Sequence, residues 1–553
     1  MNLFKQIFRK KNTPEERRFK KKKLLFGLLS GLLLGLSFPP IPLPYLIFIG
    51  LVPYFFILEK LKGFGEINRF TYYTAFIFNL VTLYWVGSWT PDADTFLMIA
   101  GTALMFFNPI LFLIPSTLFY FSKKIIPSKY SFWLFPLFWV FYEYAYSITE
   151  FRFPWLTLGN SLPYFSQFVQ IADIIGVYGL SLFILYINIS IYSFFKVYLL
   201  KNKIDFKLLF ITLILFLIPM VYGVIKIDSY KPSGKYVKVG LIQPNLNPWK
   251  KWEAGSLDKQ LDLYLALSDS AVQKGAELIV WPETALPVYL LSGRYGKELA
   301  TIKEFLNKRN VALITGMPNV KFYFDSTKAP DDAKPVKNSK ALYTSYNSIL
   351  GFNPHKDFVQ TYGKIKLVPF GEKIPYVEDF PLLGKWIKWN VGISSWNTGR
   401  DTVVMNFNLP DIKLHVGAIV CIESIYPGFV AQFVKRGADL IAVVTNDSWY
   451  GNSSGPYQHK EISVLRAVEN RRTVVRAANG GISCIINPLG KTVKATGMFR
   501  RTYLTGKAGI NKEKTFYTQN PLLIPYITVF VVVLTIFLFL IHKIFGINFS
   551  NSS

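Results

Sequence analysis

Three short stretches of this 553-residue chain end apolar runs on residues that can do chemistry. "VGAIVCIESIYPG", Val416–Gly428, brings aliphatic residues up to Cys421, with Glu423 two positions on. "LIVWPETALP" ends a similar run at Glu283, between Pro282 and Pro287, and "YGKIKLVPFGE" carries Lys364 and, eight residues later, Glu372. The thiolate is the reactive form of cysteine; with an ordinary pKa near ~8.5 it needs a base or a neighbouring cation to form at neutral pH. A carboxylate can take that proton, and a fixed ammonium can favour the thiolate and stabilise an oxyanion. Singly, each residue has a plain reading: a lone cysteine is most often packing and a lone lysine most often solvated. Together, Glu283, Lys364 and Cys421 make up a nucleophilic site.

The other candidates compete poorly for that role. Cys484, in "ISCIIN", has no acid or base beside it and reads as core. A Cys421–Cys484 disulfide is chemically possible outside the cytoplasm but would consume the nucleophile. Histidine is the usual base, yet His355 falls in a turn, His415 within a strand, His542 at the end of the last apolar span, and His459 at the start of an amphipathic helix. Glu283 is left to serve as base. Such a triad needs no metal, nucleotide or other cofactor.

Residues of this kind sit at strand ends in α/β folds, and the surrounding pattern supplies the strands. "YVKVGLIQ", "AELIVWP", "VALITGM", "YNSILGF", "HVGAIVC", "DLIAVVT" and "ISCIINP" read as strands by length and β-branched content. Leu257–Lys274, Lys297–Asn307, Gly428–Arg436 and Tyr457–Ala478 carry helical periodicity, and Ala329–Ser345 reads as a polar surface loop. Strands alternating with helices predict one α/β domain over residues 235–515.

The rest of the chain is too apolar for a soluble surface: 51% of all residues are hydrophobic and 17% aromatic. A bilayer core about 30 Å thick takes roughly 20 apolar residues per helix. Spans are expected near Leu24–Phe38, Pro42–Leu58, Phe70–Trp89, Phe96–Phe121, Phe132–Ile148, Phe168–Leu200, Leu208–Ile227 and Pro521–Ile541. The first is short, and Gly35-Leu36-Ser37 offers a weak cleavage pattern; six further spans follow it at once, which favours an uncleaved anchor. Residues 1–23 then form a basic cytoplasmic N-terminus, 24–234 a seven-helix transmembrane domain, and 516–553 a final span with a cytoplasmic tail.

Charge sets the orientation. Met1–Lys23 carries ten Lys or Arg. Lys60, Lys62 and Arg69, then Lys123, Lys124 and Lys129, then Lys196, Lys201, Lys203 and Lys207 fall in every second connection. The alternate loops are poor in bases, "SWTPDADT" having none. The positive-inside rule puts these basic loops in the cytoplasm and the α/β domain outside it. Much of the net charge of +28 is therefore topological and lipid-facing. No dense basic run interleaved with aromatics points to nucleic acid. Glu143, within a span, is a functional candidate by its position in the membrane, or a hydrogen-bonding partner for a neighbouring helix.

The strand-end Glu in "WPE", the Lys in "YGKIKLVPFGE" and the Cys in "CIES" resemble the Glu–Lys–Cys triad of the nitrilase superfamily. With seven spans before and one after, nearly the whole chain beyond its basic N-terminus resembles the bacterial apolipoprotein N-acyltransferases. "QPNLNPWKKW", "NDSWYG", "HKEISVLRAVENRRTVVRAANGGIS" and "FPWLTLGNS" support this. The resemblance implies a nitrilase-like αββα sandwich, extracytoplasmic, on a polytopic base of eight transmembrane helices in the cell inner membrane. It implies acyl transfer from a phospholipid, through a Cys thioester, to the amino terminus of a diacylglyceryl-modified apolipoprotein, and a monomeric enzyme. It implies Cys421 as nucleophile, Glu283 as base and Lys364 as oxyanion stabiliser. Glu372 and Glu423 would be supporting carboxylates, Trp252 a tryptophan at the mouth of the site, and Trp449 and Tyr450 an aromatic pair on a flanking loop. Trp252 and Trp449 also suit interfacial anchors. Ile422 stands where the family's best-known members have an aromatic ring, leaving its backbone N–H as the group that can face an oxyanion. The other reading of the triad is a membrane-tethered amidase acting on small soluble amides.

Overall fold

The structure, a computed structural model, describes residues 13–91, 93, 95–250, 257–376 and 396–546. Its N-terminal half is helical: α1 (Pro14–Leu36), α2 (Val52–Leu58), α3 (Phe64–Leu83), α4 (Thr95–Leu111), α5 (Leu113–Ile125), α6 (Ser128–Ile148), α7 (Ser166–Val169), α8 (Ala172–Lys201) and α9 (Phe206–Ser229). Helix α1 starts ten residues before the expected apolar run. Thr13 and Glu16 close a capping box there, each side chain accepting from the other's backbone N–H. The helix meets α3 through Gly27, Gly31 and Gly35. A Cβ on Gly31 would come within 2.6 Å of Ile77 Cβ, so only small residues at this spacing allow so close an approach.

Among the described residues, four stretches are long and apolar enough to cross a membrane: Leu97–Ile125, Ala172–Lys201, Phe206–Ser229 and Leu523–Phe545. The expected second span is not one helix. Pro44–Phe48 forms a 3₁₀ turn, and α2 starts afresh with Pro53 in its first turn. Proline lacks the N–H of a helix interior but fits a helix start, so two prolines here make two short pieces.

The C-terminal half is an α/β domain. Its strands are β1 (Tyr236–Gln243), β2 (Leu278–Trp281), β3 (Ala312–Tyr323), β4 (Lys334–Pro335), β5 (Leu342–Phe352), β6 (Gln360–Gly363), β7 (Val404–Leu409), β8 (Ile412–Val420), β9 (Leu440–Thr445), β10 (Val474–Ala478), β11 (Cys484–Ile486), β12 (Thr492–Ala495) and β13 (Thr502–Gly509). One sheet runs β13-β1-β2-β3-β5-β4 with β6 also on β5; the other runs β12-β11-β10-β9-β8-β7. Alternation along the strands gives the first sheet two apolar faces. Ile279, Trp281 and Leu313 pack under α10 (Leu257–Gln273) and α11 (Gly296–Arg309). Val239, Val280 and Ile314 belong to the core shared with the second sheet. The second sheet carries α12 (Pro427–Lys435) and α13 (Ser454–Asn470), with Phe433 against Gly417. The layers are αββα. The chain then runs through α14 (Phe516–Gln519) into the apolar helix α15 (Leu523–Phe545).

Two expected elements are corrected. The helix expected over Tyr457–Ala478 stops at Asn470. Arg471 takes a left-handed conformation, φ 47°, and Val474–Ala478 becomes β10, parallel to β9. The loop expected over Ala329–Ser345 contains β4, and its last four residues belong to β5, paired with β3.

Helix α13 joins the two halves, and it is buried from Ser454 to Asn470 apart from Tyr457 and Lys460. Gln458 accepts from the indole N–H of Trp85 at 3.1 Å and of Trp155 at 2.7 Å. Glu469 accepts from Val177 N, beside the break in α8 at Gly176. Arg471 donates to Asp173 at 2.8 Å and to the Gln170 carbonyl at 2.9 Å. Within the helical half, Glu143 accepts from Trp139 and from Leu158 N at 2.8 Å, fixing the "FPWLTLGNS" turn.

Candidate active site

Three strand ends and the middle of a fourth strand converge. Glu283 follows β2, Lys364 follows β6, Cys421 follows β8, and Asn347 comes from within β5. Glu283 fits because Gly316 faces it across the sheet: a Cβ there would lie 2.5 Å from Glu283 Cα. Cys421 itself has φ 49°, an unusual conformation for a residue with a side chain. Such strain, typically about 1–3 kcal/mol, persists only where neighbours hold it.

The polar groups form one connected set. Lys364, 1% exposed, donates to the Glu372 carboxylate at 2.8 Å and reaches Glu283 Oε1 at 3.5 Å. The Asn347 amide donates to Glu283 Oε1 and Glu372 Oε1, both at 2.8 Å. Glu372 also accepts from Val368 N, which fixes its loop. Burial alone would lower the Lys364 ammonium, but Glu372 and then Glu283 outweigh it and hold its pKa above the ordinary lysine value. Lys364 is therefore a permanent cation. Cys421 goes the other way: burial, then the Glu283 charge, push its thiol up, and Lys364 offsets only part of this. The cysteine rests as a thiol at neutral pH, so an attack by it requires a base at the moment of reaction.

Glu423, fully buried, ties the cysteine elbow to the lysine loop. Its Oε1 accepts from Tyr362 Oη at 2.7 Å, Ile365 N at 2.7 Å and Lys366 N at 3.1 Å; its Oε2 accepts from Val420 N at 2.8 Å. Burial raises its pKa against the pull of these hydrogen bonds. Trp449 and Tyr450 lie in the turn after β9, against the helical half. Tyr450 meets Trp85 edge-on at 4.8 Å between ring centroids, Trp85 meets Trp155 at 4.9 Å, and the Trp449 carbonyl accepts from Ser88. Trp449 also packs on Trp249 at 4.7 Å. Trp252 lies outside the described residues. Cys484 is buried in β11 and both cysteines are free. Among the described residues no cluster of His, Cys, Asp or Glu could hold a metal ion.

The structure thus unites Glu283, Lys364, Glu372, Cys421 and Glu423, and sets Tyr450 beside them. It adds two residues that sequence reasoning misses. Asn347 bridges both carboxylates beside Lys364; its only signal is an amide inside the apolar run "YNSILGF". His459, placed by the sequence at the start of an amphipathic helix, is 3% exposed, with Nε2 3.1 Å from the Cys421 carbonyl and Nδ1 2.9 Å from Asp447.

Residues 238–512 match the carbon-nitrogen hydrolase family, and residues 30–190 match the apolipoprotein N-acyltransferase N-terminal domain. The chain is 34% identical to the apolipoprotein N-acyltransferase of Chlorobaculum tepidum, over 92% of this chain and 95% of that one. It is 30% identical to that of Geobacter metallireducens, over 93% and 94% of the respective chains. Identity to the Rickettsia typhi protein of the same name is 32%, over 87% and 90%.

Proposed function

As the chain belongs to the apolipoprotein N-acyltransferase family, we propose that Cys421 takes an acyl chain from a phospholipid and passes it to the α-amino group of an apolipoprotein's diacylglyceryl-cysteine. The observation that carries this reading is the connected set Glu283–Asn347–Glu372–Lys364 beside a strained cysteine, closed on one side by an aromatic wall from the helical half. In the first step Glu283 takes the Cys421 proton as sulfur attacks an ester carbonyl of the lipid. The Lys364 ammonium and the Ile422 N–H receive the charge on the tetrahedral oxygen. Collapse expels the glycerol oxygen, which recovers the proton from Glu283 and leaves as lysophospholipid. In the second step the lipoprotein amine attacks the thioester, Glu283 takes its proton, and the thiol is restored. This is ping-pong transfer.

Glu372 and Asn347 hold the base and the cation in register, Glu423 holds the elbow, and Trp449 and Tyr450 flank the path of the lipid chains. Trp252 serves the mouth of the site. Both substrates carry long chains, and each CH₂ adds roughly 0.8 kcal/mol of membrane retention, which a site at the bilayer surface leaves intact. Incubation with phospholipid and a diacylglyceryl-cysteine peptide is expected to yield lysophospholipid and N-acylated peptide in equal amounts. Free fatty acid as the main product would instead make the protein a hydrolase, and turnover of small amides without lysophospholipid would make it an amidase.

The same reading includes a monomer with eight membrane crossings in the inner membrane and the α/β domain on its outer, periplasmic side. Support comes from the alternation of basic and base-poor loops along the chain. Ser339→Cys, in an exposed turn of the α/β domain, is expected to react with a membrane-impermeant maleimide in whole cells, and Lys62→Cys, between α2 and α3, only after lysis. The reverse pattern would overturn the orientation.

A further inference from the structure

Behind Cys421, on the face turned toward α13, lies a buried polar cluster that takes no part in the transfer steps above. The Cys421 carbonyl receives two hydrogen bonds: Ser424 Oγ donates at 2.8 Å, and His459 Nε2 lies at 3.1 Å. A carbonyl oxygen only accepts, so the second contact requires the proton on Nε2. His459 Nε2 is also 2.9 Å from Ser424 Oγ. On its other edge the ring is held at Nδ1 by Asp447 at 2.9 Å and by Arg476 Nη2 at 3.1 Å. Asp447 is in turn held by Arg476 and by Thr445 Oγ1 at 3.1 Å. His459, Asp447, Ser424 and Arg476 are each 3% exposed or less. Asp447 and Arg476 form an ion pair, and burial raises the Asp447 carboxyl less than Arg476 and His459 lower it.

The Cys421 carbonyl belongs to the same peptide unit as the Ile422 N–H. That peptide is trans, so its N–H points away from its carbonyl. With the carbonyl bound by His459 and Ser424 at the back, the N–H is turned to the opposite side. Hydrogen bonds accepted at a carbonyl also polarise the N–H of the same unit, strengthening the bond it donates in a low-dielectric site.

We propose that His459, oriented by Asp447, is a positioning residue that acts with Ser424 to fix and polarise the Cys421–Ile422 peptide, preparing its N–H to receive the oxyanion of the acyl-transfer intermediate. The inference rests on Cys421 being the acyl carrier. It assigns to His459 no contact with substrate and no proton transfer. It also explains how the left-handed backbone at Cys421 is held: the carbonyl that the unusual φ turns inward finds two donors there.

The experiment compares two reactions of the same thiol in the full-length enzyme. Acylation by phospholipid in detergent micelles builds an oxyanion; alkylation by iodoacetamide does not. His459→Leu, which removes the donor, is expected to lower the maximal acylation rate about tenfold, less than the ~10²–10³ lost with an oxyanion donor itself. The phospholipid concentration for half-maximal rate and the alkylation rate should both stay within about twofold. His459→Gln, whose amide N–H can reach the place of Nε2, should recover most of the acylation. Ser424→Ala, a milder change that keeps the ring, should show the same split to a smaller degree, and it carries the test if His459→Leu does not fold. Equal acylation in wild type and both donor-removing variants would overturn the inference, as would alkylation falling in step with acylation, which would make the cluster a support for the thiol alone. If wild-type enzyme forms no acyl adduct under these conditions, it is the acyl-carrier reading that fails.

Discussion

Cys421→Ala is expected to abolish acyl transfer, with no lipid-derived mass on the protein and activity lowered by about 10⁶, the scale seen when a nucleophile is removed from a covalent enzyme. Cys484→Ala should acquire the adduct at close to the wild-type rate. Both residues are free cysteines, and both have thiols pushed up by burial, to about 11 for Cys484. What separates them is surroundings. Cys421 sits on a strained elbow beside Glu283 and Lys364, whereas Cys484 pairs with Arg476 in the ladder between β10 and β11. The comparison is made on purified proteins by intact mass after incubation with phospholipid. An adduct of equal extent on Cys421→Ala would remove the nucleophile from the account.

Lys364→Ala is expected to lower the acylation rate by ~10²–10³, the usual cost of one oxyanion donor. Lys364→Arg should not restore it. The ammonium fills a pocket in which it is 1% exposed, gripped by Glu372 at 2.8 Å and Glu283 at 3.5 Å. A planar guanidinium has neither the size nor the point-charge geometry for that place. Removing the cation also leaves the buried Glu283 and the half-buried Glu372 facing each other across Asn347, so the alanine variant should lose stability too, on the order of 3–5 kcal/mol as for a broken buried pair. Thermal unfolding measured beside single-turnover acylation separates the two effects. Near-normal acylation by the arginine variant would make Lys364 a structural contact.

Which parts of this site could be read in the sequence follows from how each residue is placed. Glu283, Lys364 and Cys421 stand at strand ends, where an apolar run breaks on a reactive group, and such breaks are visible without a structure. Asn347 and His459 act through tertiary neighbours more than sixty and about forty residues away respectively, Glu283 and Cys421. Nothing local marks them. The His459 helix looks amphipathic because its polar residues alternate with apolar ones, but those polar groups face buried partners in the helical half, as Gln458 does with Trp85 and Trp155. In the sequence the same helix reads on to Ala478 because the left-handed turn falls on Arg471, with no glycine or proline there to announce it. Membrane segments are legible by apolar length, yet Pro42–Leu58 shows that length alone does not make one continuous helix where prolines restart the chain. The αββα layering follows more directly from the alternation of strands and helices.

The central claim is that Cys421 carries the acyl group between two substrates, and intact mass of the wild-type enzyme tests it most directly. With phospholipid and no acceptor, the protein is expected to gain one acyl chain on the peptide containing Cys421, and neutral hydroxylamine should remove it as a thioester. Adding a peptide with an N-terminal diacylglyceryl-cysteine should return the enzyme to its starting mass and place the chain on the peptide amine, while buffer alone discharges the adduct only slowly. Acylated peptide formed while Cys421 never gains mass, even in the absence of acceptor, would contradict the account.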